Sequence, residues 1–413
     1  MTALIDDRLF KLVVNQIEPN KLTETAQDLI CIRSENPPGS YREIANYLSK
    51  KWTNIGLKTR LIEVSHNKLK EFKLETPRIN LVGTIGTGKE SALILDGHTD
   101  TVPVGEGWSV DPLKGILKDS RIYGRGASDM KGGLAVMTSV AEALIHSDVE
   151  LKENLILTAT VDDEIAGSLG MKYLLENHLV KGRCAVCCEG TSSSENEVDI
   201  NSCFGGRLWL RVTTKGKSAH GAKPSEGINA IEKMFHLYQE LQKIRLPHHK
   251  VYGPSTMNLG TISGGTRPNI VPDSCSATLD IRFGPSTSTQ EVMTKLKETA
   301  TSISQYDSEF TINDVEVIES REAFEIPADT KLVTSLAKAI RMVTGTPTKL
   351  THAIGSGNAY HLWQTGIPAV FCGPGNPANF HTANEFVTLQ SLLNCTKILS
   401  HLALQLCART NET

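Results

Sequence analysis

The rhythm of apolar residues changes twice along this chain, and that double change limits the folds open to it. Up to about residue 201, short apolar runs alternate with amphipathic stretches. "ALILDG" (92–97), "NLILTATV" (154–161) and "CAVCCE" (184–189) read as buried strands. "KGGLAVMTSVAEALIHS" and "GSLGMKYLLENHL" place apolar residues at i, i+3 and i+4 and read as helices. Near residue 202 the period becomes two, as "RLWLRVTTKG" alternates apolar with polar like a half-exposed strand. The helix "INAIEKMFHLYQELQKI", the strands "MNLGTISGG" and "CSATLDIRF" and the helix "TQEVMTKLKETATSI" complete an α+β block of roughly 115 residues. From about residue 316 the first rhythm returns, with a helix over 329–342, the strand "PAVFCG" and a last helix over 390–407. The outer pattern predicts an α/β fold, a mixed sheet with helices on both faces. The inner block predicts an inserted second domain, dividing the chain into residues 1–201, 202–315 and 316–413.

A chain of 413 residues is also too long for one simple core. Its net charge of -3 and lack of a basic tract argue against nucleic acid as a partner. No run approaches 18 apolar residues, which argues against a membrane span. The start, "MTALIDDRLFKLVV", carries an acidic pair where a secretory signal needs a basic one. The nine cysteines are scattered and odd in number, with no C-x-x-C pair beside a second one. That usage predicts reduced thiols in a cytoplasmic protein rather than a zinc ribbon or disulfide framework.

"GTIGTGKE" (83–90) imitates a phosphate-binding loop, then fails: Glu90 stands where a hydroxyl is needed, and a strand rather than a helix follows. The expectation there is a glycine-rich hairpin turn.

The residues that carry chemistry fall just past the strands. "LILDGHTDTVP" puts His98 and Asp100 at a strand's C-terminal end, on one side of it. A histidine with a carboxylate two residues on suits a metal ligand and the group that fixes its tautomer. Asp129 sits in "YGRGASDMKGG", a glycine-flanked loop before a helix. Glu164 and Glu189 follow strands in "TVDDE" and "AVCCEG", and His381 follows one in "NFHTANEFV". Two histidines and three carboxylates suit zinc, cobalt or manganese. Five donors exceed one tetrahedral ion and suit two ions sharing a carboxylate.

In these motifs the chain resembles the M20 metallopeptidase and amidohydrolase family, in its acetylornithine deacetylase and succinyl-diaminopimelate desuccinylase branch. The resemblance runs in order through "IRSENPPG", "GHTDTVP", "YGRGASDMKGG", "VDDEIAG", "GKSAHGAKPSEGINAI", "GGTRPNIVP" and "FHTANEFV". It implies a zinc-peptidase-like catalytic domain with an inserted ferredoxin-like lid that also dimerises. It further implies that His98, Asp129 and Glu189 hold one zinc, and that Glu164, His381 and the shared Asp129 hold the other. Asp100 would orient His98, and the general base would be Asp163, directly before Glu164. The family carries Glu-Glu at this place and this chain carries Asp-Glu, so the base is one methylene shorter. Asp162, the first of the three acids, is expected to be structural, satisfied by backbone amides.

The same resemblance assigns His220, in "GKSAHGAKP", to oxyanion stabilisation in the partner subunit of a homodimer. Asn269 and Arg282 match lid positions for the substrate's carboxylate end. Gly355, Ser356 and Gly357, in "GSGNAY", match a substrate loop in which Asn358 takes about the place of a family aspartate. The expected activity is dinuclear-zinc hydrolysis of a small N-acyl amino acid. A carboxypeptidase or dipeptidase is the alternative within the family. A non-catalytic metal-binding dimer is the alternative outside enzymes, resting on Asp163 alone.

Overall fold

A computed structural model describes residues 7–165, 167–194, 197–353 and 355–408. It resolves into two compact units, one of Met1–Ser202, Ile326–Leu350 and Ser356–Thr413, the other of Cys203–Glu325 and Thr351–Gly355.

The first unit is built on strands β1 (Lys58–Glu63), β2 (Ile79–Ile85), β3 (Ser91–His98), β4 (Asn154–Thr160), β5 (Cys184–Gly190) and the start of β6 (Ile200–Phe204), whose last two residues belong to the second unit. A late strand, Ala369–Gly373, inserts between β5 and β6, so the order is β1-β2-β4-β3-β5-(369–373)-β6. The four central strands, β4, β3, β5 and 369–373, run parallel. Their C-terminal ends therefore share one edge, the edge where open α/β sheets place their sites. β3 and β5 are buried along nearly their whole length, as strands covered on both faces must be.

Helix α1 (Asp7–Val14) and the nearly wholly buried α2 (Gly132–His146) belong to this unit. Gly133 lets α2 close on β5, since a Cβ there would stand 2.3 Å from the carbonyl oxygen of Cys188. That close approach brings the turn before α2 to the sheet edge.

The link at 86–90 is not a hairpin. β2 and β3 do not pair with each other, because β4 lies between them. The link crosses the end of β4, with Thr87 N–H on the Leu151 carbonyl at 3.1 Å and Asn154 N–H on that of Glu90 at 2.9 Å.

The second unit is an antiparallel sheet of β7 (Gly206–Lys215), β8 (Thr256–Gly264), β9 (Ser274–Phe283) and β10 (Ile312–Arg321), ordered β8-β9-β7-β10. Alternate residues of β7 and β9 face α3 (Ala230–Leu241) and α4 (Thr289–Tyr306). Leu208, Leu210, Val212, Leu279, Met234 and Leu296 lie in the core between them. Asn229 caps α3 and Ser288 caps α4, each accepting backbone N–H groups of the first turn. β10 runs to Arg321, and Glu325 and Phe324 then pair with Cys203 and Phe204, so this unit continues past residue 315.

Helices α5 (Lys331–Thr344) and α6 (Leu389–Cys407) return to the first unit, where α6 packs on α2 and α5. All nine cysteines are free thiols and eight are buried. Among the described residues, no helix is long and apolar enough to cross a membrane.

Candidate active site

β3 ends on His98, whose ring is fixed from behind. Nδ1 lies 3.0 Å from the Asp100 carbonyl oxygen and 3.5 Å from the Asp100 carboxylate. The backbone of Asp100 thus holds the ring more closely than its side chain does. Nε2 is thereby turned to Asp129 Oδ1 at 3.0 Å and to Glu189 Oε1, near the end of β5, at 3.3 Å. The other oxygen of Asp129 lies 3.1 Å from His381 Nε2, which is 3.2 Å from Glu164 Oε2. Five side chains from five separated segments form one chain of donors, Glu189–His98–Asp129–His381–Glu164, with Asp129 at its middle.

The three consecutive acids have three surroundings. Asp162 accepts from Arg78 Nε at 2.9 and 3.0 Å, from Tyr41 Oη at 2.7 Å and from Asn36 Nδ2 at 3.1 Å. Its carboxylate partners are thus side chains, which corrects the expected backbone amides. The residue has φ +63, and this left-handed bend directs the next two acids to the site. The carboxylate that does take backbone amides is Asp100, which accepts N–H of Asp163 and of Glu164 at 3.3 Å each. Asn36 also donates to Asp100 at 3.1 Å, so it bridges Asp100 and Asp162. Asp163 has its carboxylate near donors of His98 and Glu189, all within 4.8 Å of one another. It rests against Gly357, where a Cβ would stand 3.0 Å from Asp163 Oδ2.

Charge explains what such a cluster needs. Burial alone would depress His98, but the Glu189 charge and hydrogen bonds with Asp100 and Asp129 carry its pKa well above the usual value. Hydrogen bonds to Asp129 and Glu164 push His381 up to about 10. Burial pushes Glu189 up to about 7 against the pull of His98. Burial also lifts Asp163 well above the usual carboxylate range; His98 opposes, and Glu189, Asp100 and Glu164 add to the lift. Four carboxylates, Asp129, Asp163, Glu164 and Glu189, crowd two imidazoles among the described residues, so ionising all four takes more positive charge than the two rings supply. Glu164 Oε1 is buried with no hydrogen-bond partner among the described residues. A carboxylate-rich set of imidazole nitrogens and carboxylate oxygens with one unpartnered oxygen fits divalent cations of the zinc class.

Sequence reasoning missed Glu385. It is fully buried, and its two oxygens accept from Arg125 Nη1 at 2.6 Å and from the N–H groups of Gly126 (3.1 Å), Ser128 (2.8 Å) and Asp129 (3.1 Å). One carboxylate thus pins the turn that presents Asp129. Its place four residues after His381 was the available signal.

The remaining expected residues divide between the units. Ser356 and Gly357 open a short helix (Gly357–Gln364) in the first unit. Asn358 is buried there, donating to Asp96 Oδ2 at 3.0 Å and Thr160 Oγ1 at 2.9 Å. Its amide N–H groups serve the protein interior rather than a ligand. Gly355, His220, Asn269 and Arg282 belong to the second unit. His220 and Asn269 are neighbours, through a bridge between His220 and Ile270 and a 2.8 Å bond from Gly221 N–H to the Asn269 carbonyl. The Arg282 fork is held by Asp280, at 2.7 and 3.0 Å.

The sequence model of peptidase family M20/M25/M40 matches residues 94–405. Acetylornithine deacetylase of Pasteurella multocida is 30% identical over 374 residues, 88% of this chain and 90% of the relative. Succinyl-diaminopimelate desuccinylase of Wolinella succinogenes is 29% identical over 333 residues, 79% of this chain and 85% of the relative. In fold, the chain is similar to the crystal structure of an aminopeptidase from Bacillus cereus, with a TM-score of 0.74 at 21% identity over 95% of this chain and 99% of that one. The match over most of the length, on the strands that carry the donor cluster, makes this chain a hydrolase of peptidase family M20/M25/M40.

Proposed function

We propose that the protein hydrolyses the amide bond of a small N-acyl amino acid at a centre of two divalent cations, zinc first, with cobalt or manganese as alternatives. The observation that carries this reading is the position of Asp129, one oxygen 3.0 Å from His98 Nε2 and the other 3.1 Å from His381 Nε2. A carboxylate so placed can serve two cations, with Glu189 completing one set of ligands and Glu164 the other. Cations at such a centre supply Lewis-acid polarisation of a carbonyl and a water acidic enough to attack at neutral pH.

The chain's own residues supply the rest. The Asp100 carbonyl holds His98 by Nδ1, which keeps Nε2 free to bind. Asp163 takes a proton from the attacking water and returns it to the leaving amine. Its surroundings suit that task, since burial and neighbouring carboxylates favour its protonated form. His220 is the donor to the oxyanion, reaching the centre of the partner subunit in a homodimer formed by the inserted domain. Asn269 and Arg282 bind the carboxylate end of the substrate, where the substrate must compete with Asp280 for the Arg282 fork. Gly355, Ser356 and Gly357 form the loop against which the substrate lies. The curated relatives named as a deacetylase and a desuccinylase favour acetyl or succinyl groups on the amino acid. The similarity to an aminopeptidase supports a second reading, cleavage of short peptides. The protein is expected to work in the cytoplasm.

A screen with added zinc or cobalt tests both readings. Turnover of N-acetyl or N-succinyl amino acids above di- and tripeptides supports the first. The reverse order supports the second, and no turnover of either class with metal bound overturns both.

A further inference from the structure

We propose that Cys203, His249 and Glu325, all in the second unit, form a further divalent-cation site selective for thiophilic ions of the zinc class. One donor atom from each of the three residues lies within 4.8 Å of the others. Cys203 Sγ stands 3.6 Å from His249 Nδ1, and His249 Nε2 stands 3.3 Å from Glu325 Oε2. Bond lengths of about 2.3 Å to sulfur and 2.0–2.1 Å to nitrogen put two tetrahedral ligands about 3.5 Å apart, so the thiol and the ring already have a zinc-like spacing.

The backbone builds this arrangement. Cys203 and Glu325 face each other across an antiparallel pair of strands, so their side chains leave on the same face. His249 comes from a turn closed by a bridge between His249 and Gly253. Two glycines let that turn settle on the strands. A Cβ at Gly205 would meet the Tyr252 ring at 2.4 Å, and one at Gly284 would meet His249 Cβ at 2.8 Å. Cys203 is fully buried, while the side chains of His249 and Glu325 are 14% and 35% exposed, which leaves a solvent side for entry and for water ligands.

The chemistry favours an ion. A thiolate and a carboxylate together neutralise a divalent cation, and the thiolate selects zinc or cobalt over magnesium or calcium. Without such an ion, burial and the charge of Glu325 push the Cys203 thiol up to about 12, so binding releases a proton. Nδ1 now accepts from the amides of Val251 at 3.3 Å and Tyr252 at 3.1 Å, and it gives up these long contacts to the ion. Nε2–H then stays on Glu325, 3.3 Å away, so this carboxylate orients the ring from behind and balances charge, while Cys203 and His249 supply the protein ligands and solvent completes the set. The chain enters the second unit at Cys203 and leaves its main span at Glu325, so a bound ion ties entry to exit.

The test uses full-length protein stripped with a chelator and titrated with Co(II). Absorption in the near ultraviolet reports sulfur-to-cobalt charge transfer. The candidate active site holds no sulfur donor and is silent in this band, so success or failure here is separate from the proposed function. The expected result is one thiolate-bound cobalt per chain, lost in Cys203→Ser and bound at least tenfold more weakly in His249→Ala. Absence of the band at saturating cobalt, or its survival in folded Cys203→Ser, overturns the proposal. Should Cys203→Ser fail to fold, the partly exposed His249→Ala and Glu325→Gln carry the test, and unchanged cobalt affinity in both overturns it.

Discussion

Arg78 and Asp162 form an ion pair shut away from solvent, with Nε to Oδ1 at 2.9 Å and side chains 1% and 3% exposed. Arg78 Nη1 also donates to the carbonyls of Pro38 and Thr76, at 3.2 and 3.0 Å. The pair anchors the bend from which Asp163 and Glu164 project. Arg78→Met leaves a buried carboxylate beside three others without its countercharge. We expect it to cost about 3–5 kcal/mol of unfolding free energy in denaturant titrations. A loss below about 1 kcal/mol would mean that Asp162 is held by Asn36 and Tyr41 alone.

Glu385→Gln tests the clamp behind Asp129. Gln keeps one acceptor oxygen but turns an NH2 group toward backbone N–H groups and Arg125. Hydrogen bonds to a charged group contribute about 1.5–3 kcal/mol each, so the turn at 125–129 should loosen. The expected outcome is metal retained at least tenfold more weakly in competition with a chelator, with the circular dichroism spectrum preserved. Unchanged metal affinity would make Glu385 a fold residue without influence on the centre.

Four of the donors were legible because they end or follow apolar strands, and strand ends of a parallel sheet converge; Asp129 was legible from its glycine-flanked loop before a helix. What the local sequence could not show was who supports whom. Glu385 and Asp129 are 256 residues apart in the chain, and Arg78 and Asp162 are 84 apart. Pairings of that range leave no spacing signal. The same limit explains the error over Asp162, for its neighbours in sequence suggested backbone partners while Arg78, Tyr41 and Asn36 arrive from elsewhere. It explains the link at 86–90 as well, because strand order, not the turn's own glycines, decided that β4 separates β2 from β3. Arg282 shows the converse, a partner two residues away that the motif obscured.

His401 on α6 supplies a pH dependence away from the active site. It is fully buried, neither ring nitrogen has a hydrogen-bond partner among the described residues, and the ring stacks edge-on against Phe10 of α1 at 4.9 Å between centroids. Burial, and then the charge of Lys338, lower its pKa to about 4, with Asp7 opposing. The folded value lies below the unfolded one, so the unfolded chain takes the proton first. Stability should hold above about pH 6.5 and fall as pH drops from there to about 4, by at most about 3 kcal/mol from this group. His401→Leu should flatten that part of the stability curve. An unchanged slope between those pH values would place the sensitivity elsewhere.

Asp163 is the decisive residue for the proposed chemistry. It follows Asp162 at the bend, is set by the bond from its N–H to Asp100 at 3.3 Å, and presses on Gly357. We expect Asp163→Asn to lower kcat at least ~10²-fold with metal content unchanged, in line with loss of a general base. Asp163→Glu is the informative partner. The added methylene can restore the family's reach and keep or raise turnover. It can instead meet Gly357, where the present carboxylate already stands 3.0 Å from the position of a Cβ, and slow the reaction. Gly357→Ala crowds the acid without changing its length; because φ is +38 there, the substitution also strains the backbone, so its turnover is read only where metal content and the circular dichroism spectrum are preserved. Slower turnover in both Asp163→Glu and Gly357→Ala would mean that the space beside Gly357 sets the shorter acid. Full turnover by Asp163→Asn on a hydrolysed substrate would remove Asp163 from the mechanism.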